Sequence, residues 1–334
     1  MPCNQYTRVH EAADLRSAVA ERFERVLAQI GDGLADVTRV IMSSDDRLLS
    51  PSLRPQSSVV VLAACVAAGG DWRRALWPAA AMESAMAAAD VFDDIADGEA
   101  SALSQRFGSG RVLMAAATLL TLATGMVLHG LEDGLSEQTV VALARLLTDE
   151  LSHAADGQAR SLAPPAATDA VGAYQLAAAK SGPLGSLATL LGARAATDDP
   201  ELLRLFGSFG WHLAVYSQLL NDARDAAPGG STRKRDVREG RKTVPLVFAA
   251  SPGAPPHLSG RALRTWERRE RKRVADAGGL LLAVALAQAE RLRATAVLDS
   301  LAQCGRPAGP LRQLLDQLPE PAAVVTPGTG SARV

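Results

Sequence analysis

The sequence predicts an all-α fold, and three observations support that prediction. Alanine and leucine are abundant among the 334 residues and aromatic residues make up only 4% of them, a composition that favours helix. No segment alternates apolar and polar residues in the way that a half-buried strand does. Residues of the Gly, Pro and Asp types separate long segments with helical spacing, as they do at helix ends.

The predicted helices follow one another between these breaks. SPSLRP precedes the third helix, AAGGDW separates the third from the fourth, and LAPPAATD and TDDPE enclose the seventh. APGGSTRKRD, SPGAPP and CGRPAGP separate the last four, and Gly278-Gly279 breaks the longest of them. The predicted helices are residues 10–30, 35–45, 56–69, 73–96, 101–131, 136–161, 169–196, 199–226, 241–250, 258–303 and 307–318.

Residues 1–320 are predicted to form a single helical domain. None of the breaks is long enough or polar enough to be an interdomain linker. Residues 321–334 are rich in Pro, Gly, Ser and Thr, which predicts a disordered C-terminal tail.

Composition and the N-terminus exclude several functional classes. With a formal net charge of −1, the chain has no bulk electrostatic preference for nucleic acid. Cys3, Cys65 and Cys304 form no CxxC pair and predict neither a zinc site nor a disulfide framework. The N-terminus lacks the apolar core of a secretory signal, and stretches such as SVVVLAACVAA are shorter than the roughly 20 residues that cross a bilayer. These features predict a cytoplasmic protein without a stable membrane anchor.

The segment DVFDDIAD ends a predicted helix with four aspartates, Asp90, Asp93, Asp94 and Asp97, which we call the first acidic cluster. On a helix, residues three and four apart share a face, so these carboxylates project together. Mg²⁺ usually takes one or two carboxylates and completes its shell with water and substrate phosphates. Acids at a solvated helix C-terminus would instead oppose the helix dipole. The spacing therefore predicts metal ligands at Asp93, Asp94 and Asp97, and the role of Asp90 stays open.

A second apolar helix also ends in oxygen ligands, within YSQLLNDARD. We call Asn221, Asp222 and Asp225 the second acidic cluster, and Gln218 lies one turn before them. Residues 227–247, which follow, are rich in cations and are called the basic loop. The cations assigned to the site are Lys180, Lys234, Arg241 and Lys242. Two metal-binding clusters with cations nearby predict a site for a diphosphate.

These segments resemble the trans-isoprenyl diphosphate synthase (polyprenyl synthetase) superfamily over about residues 50–320. Glu83 leads into DDIAD as in the family's first aspartate-rich motif, and QRFGSGRVLMAAATLL resembles its next helix. Gly157-Gln158 and Lys180-Ser181 match its GQ and KT pairs. GWHLAVYSQLLNDARD resembles its glutamine and second aspartate-rich motif, and KRDVREGRKTVPL resembles its closing basic loop. The resemblance implies an isoprenoid synthase bundle of long helices around a central cavity, three Mg²⁺ ions and a homodimer.

The family's anchors for isopentenyl diphosphate do not match. Ser50, Pro51 and Ser52 occupy anchor positions before an Arg-Pro pair, and no arginine follows Asp97 until Arg106. A second diphosphate needs fixed cations, and these replacements remove them. The sequence therefore predicts a class I terpene synthase that ionises one allylic diphosphate of C15–C25, geranylgeranyl diphosphate first, and cyclises or quenches the cation. Lys180, Lys242 and Mg²⁺ would stabilise the leaving diphosphate.

Spacing also suggests residues that line the cavity. Trp211 shares a helix face with the second acidic cluster and would turn its ring toward a carbocation, although a core role fits it equally. Phe92 is a weaker candidate for the wall. Ala88 and Ala89 lie where short-chain members of the family often carry a bulky residue, which predicts a deep pocket with Met82 and Met86 at its floor.

Three other functions stay open. A chain-elongating prenyl diphosphate synthase would use other cations for isopentenyl diphosphate, and a different prenyltransferase would use a peptide or an aromatic ring as acceptor. A non-catalytic isoprenoid-binding or regulatory subunit would not need both metal clusters. The second acidic cluster resembles that of prenyl synthases more than that of dedicated cyclases, because Asp225 occupies the position where the cyclases carry Ser or Thr.

Overall fold

The structure is a computed structural model that describes residues 9–44, 47–50, 57–98, 102–163, 168–230 and 235–321. Every regular element in these ranges is helical, which confirms the predicted all-α fold. In chain order the α-helices are α1 (Val9–Leu27), α2 (Asp32–Ser43), α3 (Ser57–Ala67), α4 (Leu76–Ala96), α5 (Ala102–Phe107), α6 (Ser109–Leu128), α7 (Glu137–Leu162), α8 (Ala170–Arg194), α9 (Pro200–Ala226), α10 (Asp236–Glu239), α11 (Val244–Phe248), α12 (Gly260–Asp276), α13 (Gly279–Gln303) and α14 (Gly309–Gln317).

Two of the helix boundaries show how glycine divides helical segments. The predicted helix 101–131 is divided into α5 and α6 at Gly108, whose φ of 82° lies in the left-handed region that favours glycine. The predicted break in 258–303 is confirmed, because Gly278 with a φ of 85° separates α12 from α13. The short helix α10 was not predicted; its four residues lie inside the basic loop.

The chain divides into two compact units. The first contains residues 1–151, 186–210 and 297–314, and the second contains residues 152–185, 211–296 and 315–334. The division falls within α7, α8, α9, α13 and α14. One domain over residues 1–320 remains a prediction, and the predicted tail beyond residue 321 lies outside the described residues.

In the first unit, α4 packs against α1, α3 and α6. The alanines of α4 bring these helices close together, since Ala79, Ala80 and Ala81 are fully buried. A glycine makes an even closer contact between α8 and α3. A Cβ added at Gly192 would lie 1.9 Å from the carbonyl oxygen of Val61. The core therefore leaves no room for a side chain at this crossing.

One helical stretch among the described residues, Ser109–Leu131, is long and apolar enough to cross a membrane, although the sequence analysis predicted none. The stretch includes α6, and one face of α6 is fully buried in the core of the first unit, as Val112, Leu119 and Met126 show. This partial burial is the arrangement of a core helix. The opposite face carries exposed Leu113, Met114 and Leu128.

In the second unit, α9 and α13 enclose a buried carboxylate. Glu290 of α13 is fully buried and accepts hydrogen bonds from Tyr174 Oη at 2.8 Å and His212 Nδ1 at 2.7 Å. Arg293 also pairs with it. These bonds hold the pKa of Glu290 below its usual value, although burial acts in the opposite direction as the largest single influence. Glu290 therefore links α8, α9 and α13 as a charged centre.

Candidate active site

The first acidic cluster lies on the last two turns of α4 and its C-cap. Asp93 and Asp94 are half-buried and Asp90 is exposed. Asp97 caps the helix, and its amide N–H donates to the carbonyl oxygen of Asp93 at 2.8 Å. The structure thus brings the four predicted residues together on one helix end.

Asp90 has a partner that the sequence analysis did not identify. Its carboxylate forms an ion pair with the Arg47 guanidinium, whose side chain is only 18% exposed. The segment that carries Arg47 is held in turn by Arg16 of α1. The Arg16 guanidinium donates to the carbonyl oxygens of Arg47 and Leu48, both at 2.9 Å, and to that of Ser50. A cation is thereby fixed within one turn of Asp93.

Glu83 lies three turns before the end of α4 and holds a second segment. Its buried carboxylate accepts from Ser57 Oγ at 2.9 Å and from the Ser58 amide at 2.6 Å, at the start of α3. An acid at a helix N-terminus satisfies free amides and complements the helix dipole. These two hydrogen bonds fix the point at which α3 begins. The start of α3 follows the predicted anchor positions 50–52 in the chain. Pro51 and Ser52 lie outside the described residues.

A chain of hydrogen bonds orients the central acid of the second acidic cluster. Gln218 Nε2 donates to Asp222 Oδ1 at 2.7 Å, and Ser181 Oγ donates to Gln218 Oε1 at 2.9 Å. Gln218 lies one turn before Asp222 on α9, while Ser181 follows Lys180 on α8. The predicted residues of the second unit are therefore brought together by direct contacts. Asn221 is exposed and accepts from Arg224 at 3.1 Å.

Asp222 is buried, and this raises its pKa from 3.8 to about 7. Desolvation is the main cause, and repulsion by Asp236 is the next. The hydrogen bond from Gln218 and the charge of Lys180 oppose the rise, while Asp225 adds to it. A buried carboxylate that two other acids repel is stabilised when a cation binds beside it.

Two charged residues near this cluster were missed by the sequence analysis. Asp236 is the first residue of α10, inside the basic loop. It was overlooked because most charged residues of that loop are cations. Arg271 is buried on the inner face of α12, and burial lowers its pKa while Glu267, Asp225 and Asp236 raise it. Its sequence neighbours are arginines on a polar helix, so only the direction in which Arg271 points distinguishes it.

The other predicted cations are held by local contacts. Lys242 Nζ donates to the carbonyl oxygen of Ala163 at 2.9 Å, and Arg241 pairs with Glu239 at 2.7 Å. Gln158 is half-buried, and its backbone carbonyl oxygen accepts from Ser161. Lys234 lies outside the described residues.

The backbone before Lys180 is shaped by two unusual residues. Pro183 has no amide hydrogen to donate to the carbonyl of Ala179, four residues earlier in α8. Gly157 of α7 approaches that same carbonyl so closely that an added Cβ would lie 2.3 Å from its oxygen. The glycine of the GQ pair is therefore required by the close packing of α7 on α8.

The predicted cavity residues lie in different surroundings. Trp211 is half-buried and packs on Gly182, where an added Cβ would lie 2.5 Å from the indole ring. Ala88 is fully buried in the core of the first unit, while Ala89 keeps partial exposure. Phe92 and Met86 are half-buried against the same core. Their roles as cavity wall and floor remain predictions.

The donor set fits a hard divalent cation that binds with its substrate. Within the described ranges, no group of three or more Asp, Glu, His or Cys side chains is arranged to hold a metal ion. Mg²⁺ needs only one or two carboxylates when water and phosphate oxygens complete its shell. Asp222 offers a buried carboxylate that other acids repel, and the adjacent Asp93 and Asp94 offer two more carboxylates. Both sets match that need. A single cavity lined by both acidic clusters remains a prediction.

Comparison with solved structures finds the same fold in prenyl diphosphate synthases. A geranylgeranyl pyrophosphate synthetase from Geoglobus acetivorans is 20% identical with a TM-score of 0.75, and the match covers 96% of this chain and 99% of that one. A polyprenyl synthetase from Streptomyces coelicolor is 17% identical with a TM-score of 0.74, covering 96% and 100%. A geranylgeranyl pyrophosphate synthase from Corynebacterium glutamicum, complexed with calcium and isoprenyl diphosphate, is 19% identical with a TM-score of 0.74, covering 97% and 98%.

Sequence comparison identifies the family. No curated protein matches the chain. The family model described as polyprenyl synthetase, however, matches residues 50–277, which include both acidic clusters and the basic loop. The residues that prompted the resemblance lie within this match, and the chain belongs to the polyprenyl synthetase family.

Proposed function

We propose that this protein is a metal-dependent prenyltransferase that elongates an allylic prenyl diphosphate with isopentenyl diphosphate. The observation that carries the proposal is the family match over residues 50–277, because it includes both acidic clusters. The structural neighbours named above are synthases of prenyl diphosphates, which supports the same reaction. This reverses the order of the hypotheses drawn from the sequence, in which cyclisation came first.

The proposed reaction forms one carbon–carbon bond. The bond between C1 of the allylic substrate and its diphosphate breaks, and the electron pair leaves with the diphosphate. The terminal alkene carbon of isopentenyl diphosphate then bonds to C1, and a proton lost from its C2 restores a double bond. The released diphosphate is the natural acceptor of that proton.

The acidic clusters would hold Mg²⁺, three ions in all, and these ions supply charge neutralisation for the leaving diphosphate when they are bound. The ligands would be Asp93, Asp94 and Asp97 in the first cluster and Asn221, Asp222 and Asp225 in the second. The calcium in a structural neighbour supports a divalent cation in this fold. The hydrogen bond from Gln218 engages Oδ1 of Asp222, and the other carboxylate oxygen would serve as the metal ligand.

Basic side chains would bind the diphosphate itself. Lys180 interacts electrostatically with Asp222, so a metal-bound diphosphate at Asp222 lies within its reach. Lys234, Arg241 and Lys242 belong to the basic loop, which would cover the leaving group. A covered site excludes water, and exclusion of water keeps the cation from premature quenching.

Arg47 supports the use of a second diphosphate. The anchor positions of the family are not matched here, but the Asp90 ion pair fixes a guanidinium beside the first acidic cluster. A guanidinium binds phosphate oxygens in a two-point geometry. We assign Arg47 to the acceptor diphosphate.

The same unmatched anchors favour a second candidate, a class I terpene synthase that needs no acceptor diphosphate. Ser50 stands in place of an anchor, and the next arginine after Asp97 is Arg106. In either reaction the small Ala88 and Ala89 support an allylic substrate of C15–C25, with geranylgeranyl diphosphate first.

Product analysis tests the proposal. The protein is incubated with Mg²⁺ and geranyl, farnesyl, geranylgeranyl or geranylfarnesyl diphosphate, each with and without isopentenyl diphosphate. We expect longer diphosphates only when isopentenyl diphosphate is present, and none after addition of EDTA. Hydrocarbons or alcohols formed without isopentenyl diphosphate would refute chain elongation and identify the protein as a terpene synthase. No product in any mixture, from folded protein, would refute both and favour another acceptor or a non-catalytic subunit.

An apolar helix face supports a homodimer. Leu113, Met114 and Leu128 are 42%, 55% and 53% exposed and lie on the same side of α6. Large exposed apolar patches mark interfaces in soluble proteins. Sedimentation equilibrium should give twice the monomer mass, and Met114→Glu should give the monomer.

A further inference from the structure

The solvent face of α12 carries an unbroken row of cations. Arg261, Arg268 and Lys272 point within about 40° of one another on a helical projection, and all three are exposed. Arg264 and Arg269 flank this row and are also exposed. From first to last, the row extends about 16 Å along the helix axis. The chain as a whole carries a net charge of only −1, so this face is a local concentration of positive charge.

Two of the three acids of α12, Glu267 and Glu270, lie on its opposite face, and the third, Asp276, is exposed near the end of the row. Glu267 is buried and pairs with Arg238 at 2.9 Å, and buried Glu270 accepts from Ser251 at 2.7 Å. Lys272 pairs with Asp276 at 2.6 Å. Five arginines of α12 are exposed, and one of them, Arg273, pairs with Glu270. In the described part of the chain, the other four form no ion pair with a carboxylate; they are Arg261, Arg264, Arg268 and Arg269.

Two large apolar side chains lie beside the C-terminal end of this helix. Phe248, which ends α11, is 50% exposed, and Leu281 in the first turn of α13 is 63% exposed. The Arg273 guanidinium of α12 donates to the carbonyl oxygen of Ala249 at 2.7 Å, so the end of α11 lies against α12. A Cβ added at Gly278 would lie 3.7 Å from the Phe248 ring, which brings that ring to the turn between α12 and α13.

We propose that this surface, Arg261, Arg264, Arg268, Arg269 and Lys272 together with Phe248 and Leu281, binds an anionic lipid bilayer reversibly. The arginines attract phosphate headgroups, and the attraction grows with each added cation. Exposed aromatic and aliphatic side chains beside the cations are suited to the boundary between headgroups and acyl chains.

The apolar residues distinguish a bilayer from other polyanions. A nucleic acid would engage the arginines through its backbone and leave Phe248 and Leu281 in water. The row of cations is about 16 Å long, since it covers about 11 residues of helix. A bilayer surface is broad enough to contact this row together with Phe248 and Leu281. The single helix face and the two side chains provide no deep insertion, so binding would be peripheral and sensitive to salt. The inference does not depend on the reaction proposed above.

Vesicle sedimentation tests the inference with the whole protein. The protein is mixed with phosphatidylcholine vesicles that contain phosphatidylglycerol, and with vesicles of phosphatidylcholine alone, at low and high salt. We expect binding only to the anionic vesicles and its loss at high salt. Equal binding to both kinds of vesicle, or binding to neither at low salt, would overturn the proposal.

Variants locate the surface. Replacing the four unpaired arginines of α12 by Gln should weaken binding roughly 100- to 1,000-fold, because each arginine strengthens attraction to an anionic surface by about three- to sixfold. A matched variant with Arg111, Arg145, Arg160 and Arg204 replaced by Gln changes the net charge equally and should bind within about threefold of the original. Similar losses in both variants would mean that bulk charge, and not this surface, is responsible.

Two further measurements separate the possible ligands. Phe248→Ser should weaken vesicle binding and leave its salt dependence unchanged; no change would remove the apolar residues from the proposal. Inorganic diphosphate should compete only through ionic strength, since a specific effect would identify a free-phosphate site instead. Duplex DNA that binds through the same arginines while vesicles do not would assign the surface to nucleic acid. Circular dichroism checks the fold of each variant.

Discussion

The buried Asp222 should make the metal-free protein less stable as the pH rises. Its pKa is about 7 in the folded chain against 3.8 for an ordinary aspartate. The folded state therefore holds the proton more tightly than the unfolded state. Below about pH 4 both states are protonated and the residue has no effect, and between about pH 4 and 7 the unfolded state ionises first and gains free energy. Above about pH 7 the difference is constant at about 4 kcal/mol, from about 1.4 kcal/mol for each pH unit.

The substitution Asp222→Asn isolates this effect. Asparagine keeps the oxygen that accepts the hydrogen bond from Gln218 but cannot ionise. In EDTA, we expect the variant to be more stable than the original protein by up to about 4 kcal/mol at about pH 8, with the difference vanishing toward about pH 4. Turnover should be lost in the same variant. The gain in stability and the loss of activity would then arise from one carboxylate.

Urea unfolding followed by circular dichroism measures the difference at each pH. The control is Asp299→Asn, because Asp299 is exposed and forms a surface ion pair with Arg312. This variant should change the free energy of unfolding by at most about 0.5 kcal/mol. If the Asp222 variant has the same stability as the original protein at high pH, the carboxylate is not buried in the way described. Added Mg²⁺ with inorganic diphosphate should stabilise the original protein and not the variant.

Three other changes test separate parts of the structure. Asp93→Ala should abolish turnover while circular dichroism stays unchanged; an active variant would remove the first acidic cluster from the mechanism. Gly192→Ala should cost at least about 2 kcal/mol in urea unfolding, because its Cβ would overlap the Val61 carbonyl oxygen, whereas Gly125→Ala, with open space around it, should not destabilise. Glu290→Gln should cost about 2–4 kcal/mol near neutral pH, and the cost should vanish as acid protonates Glu290, whose folded pKa is lowered. A cost independent of pH would mean that packing, not charge, holds the three helices.

The helices were largely predictable because their ends have local causes. The break before α13 rests on Gly278, and a left-handed φ at glycine is a property that the sequence itself signals. Gly108 has the same φ sign, yet the apolar spacing on both sides of it predicted one helix through it. The four-residue α10 was missed because so short a helix has no periodicity to detect.

The acidic clusters were predictable for the same reason, since each lies within two turns of one helix. Contacts between distant segments were not. Arg47 and Asp90 are 43 positions apart, and no pattern in either segment names the other. Arg271 is one of several arginines in α12, and its inward direction depends on what packs against that helix. Burial and long-range pairing are properties of the fold and have no local signature.

The hydrogen bonds of Arg16 connect the first helix to the first acidic cluster. The Arg16 guanidinium donates to the backbone oxygens of residues 47, 48 and 50, and that segment carries the cation that pairs with Asp90. A truncation that removed this arginine would leave every predicted metal ligand in place, yet it would release the segment beside them. The first helix therefore acts on the acidic end of α4 indirectly, through the backbone of one short segment.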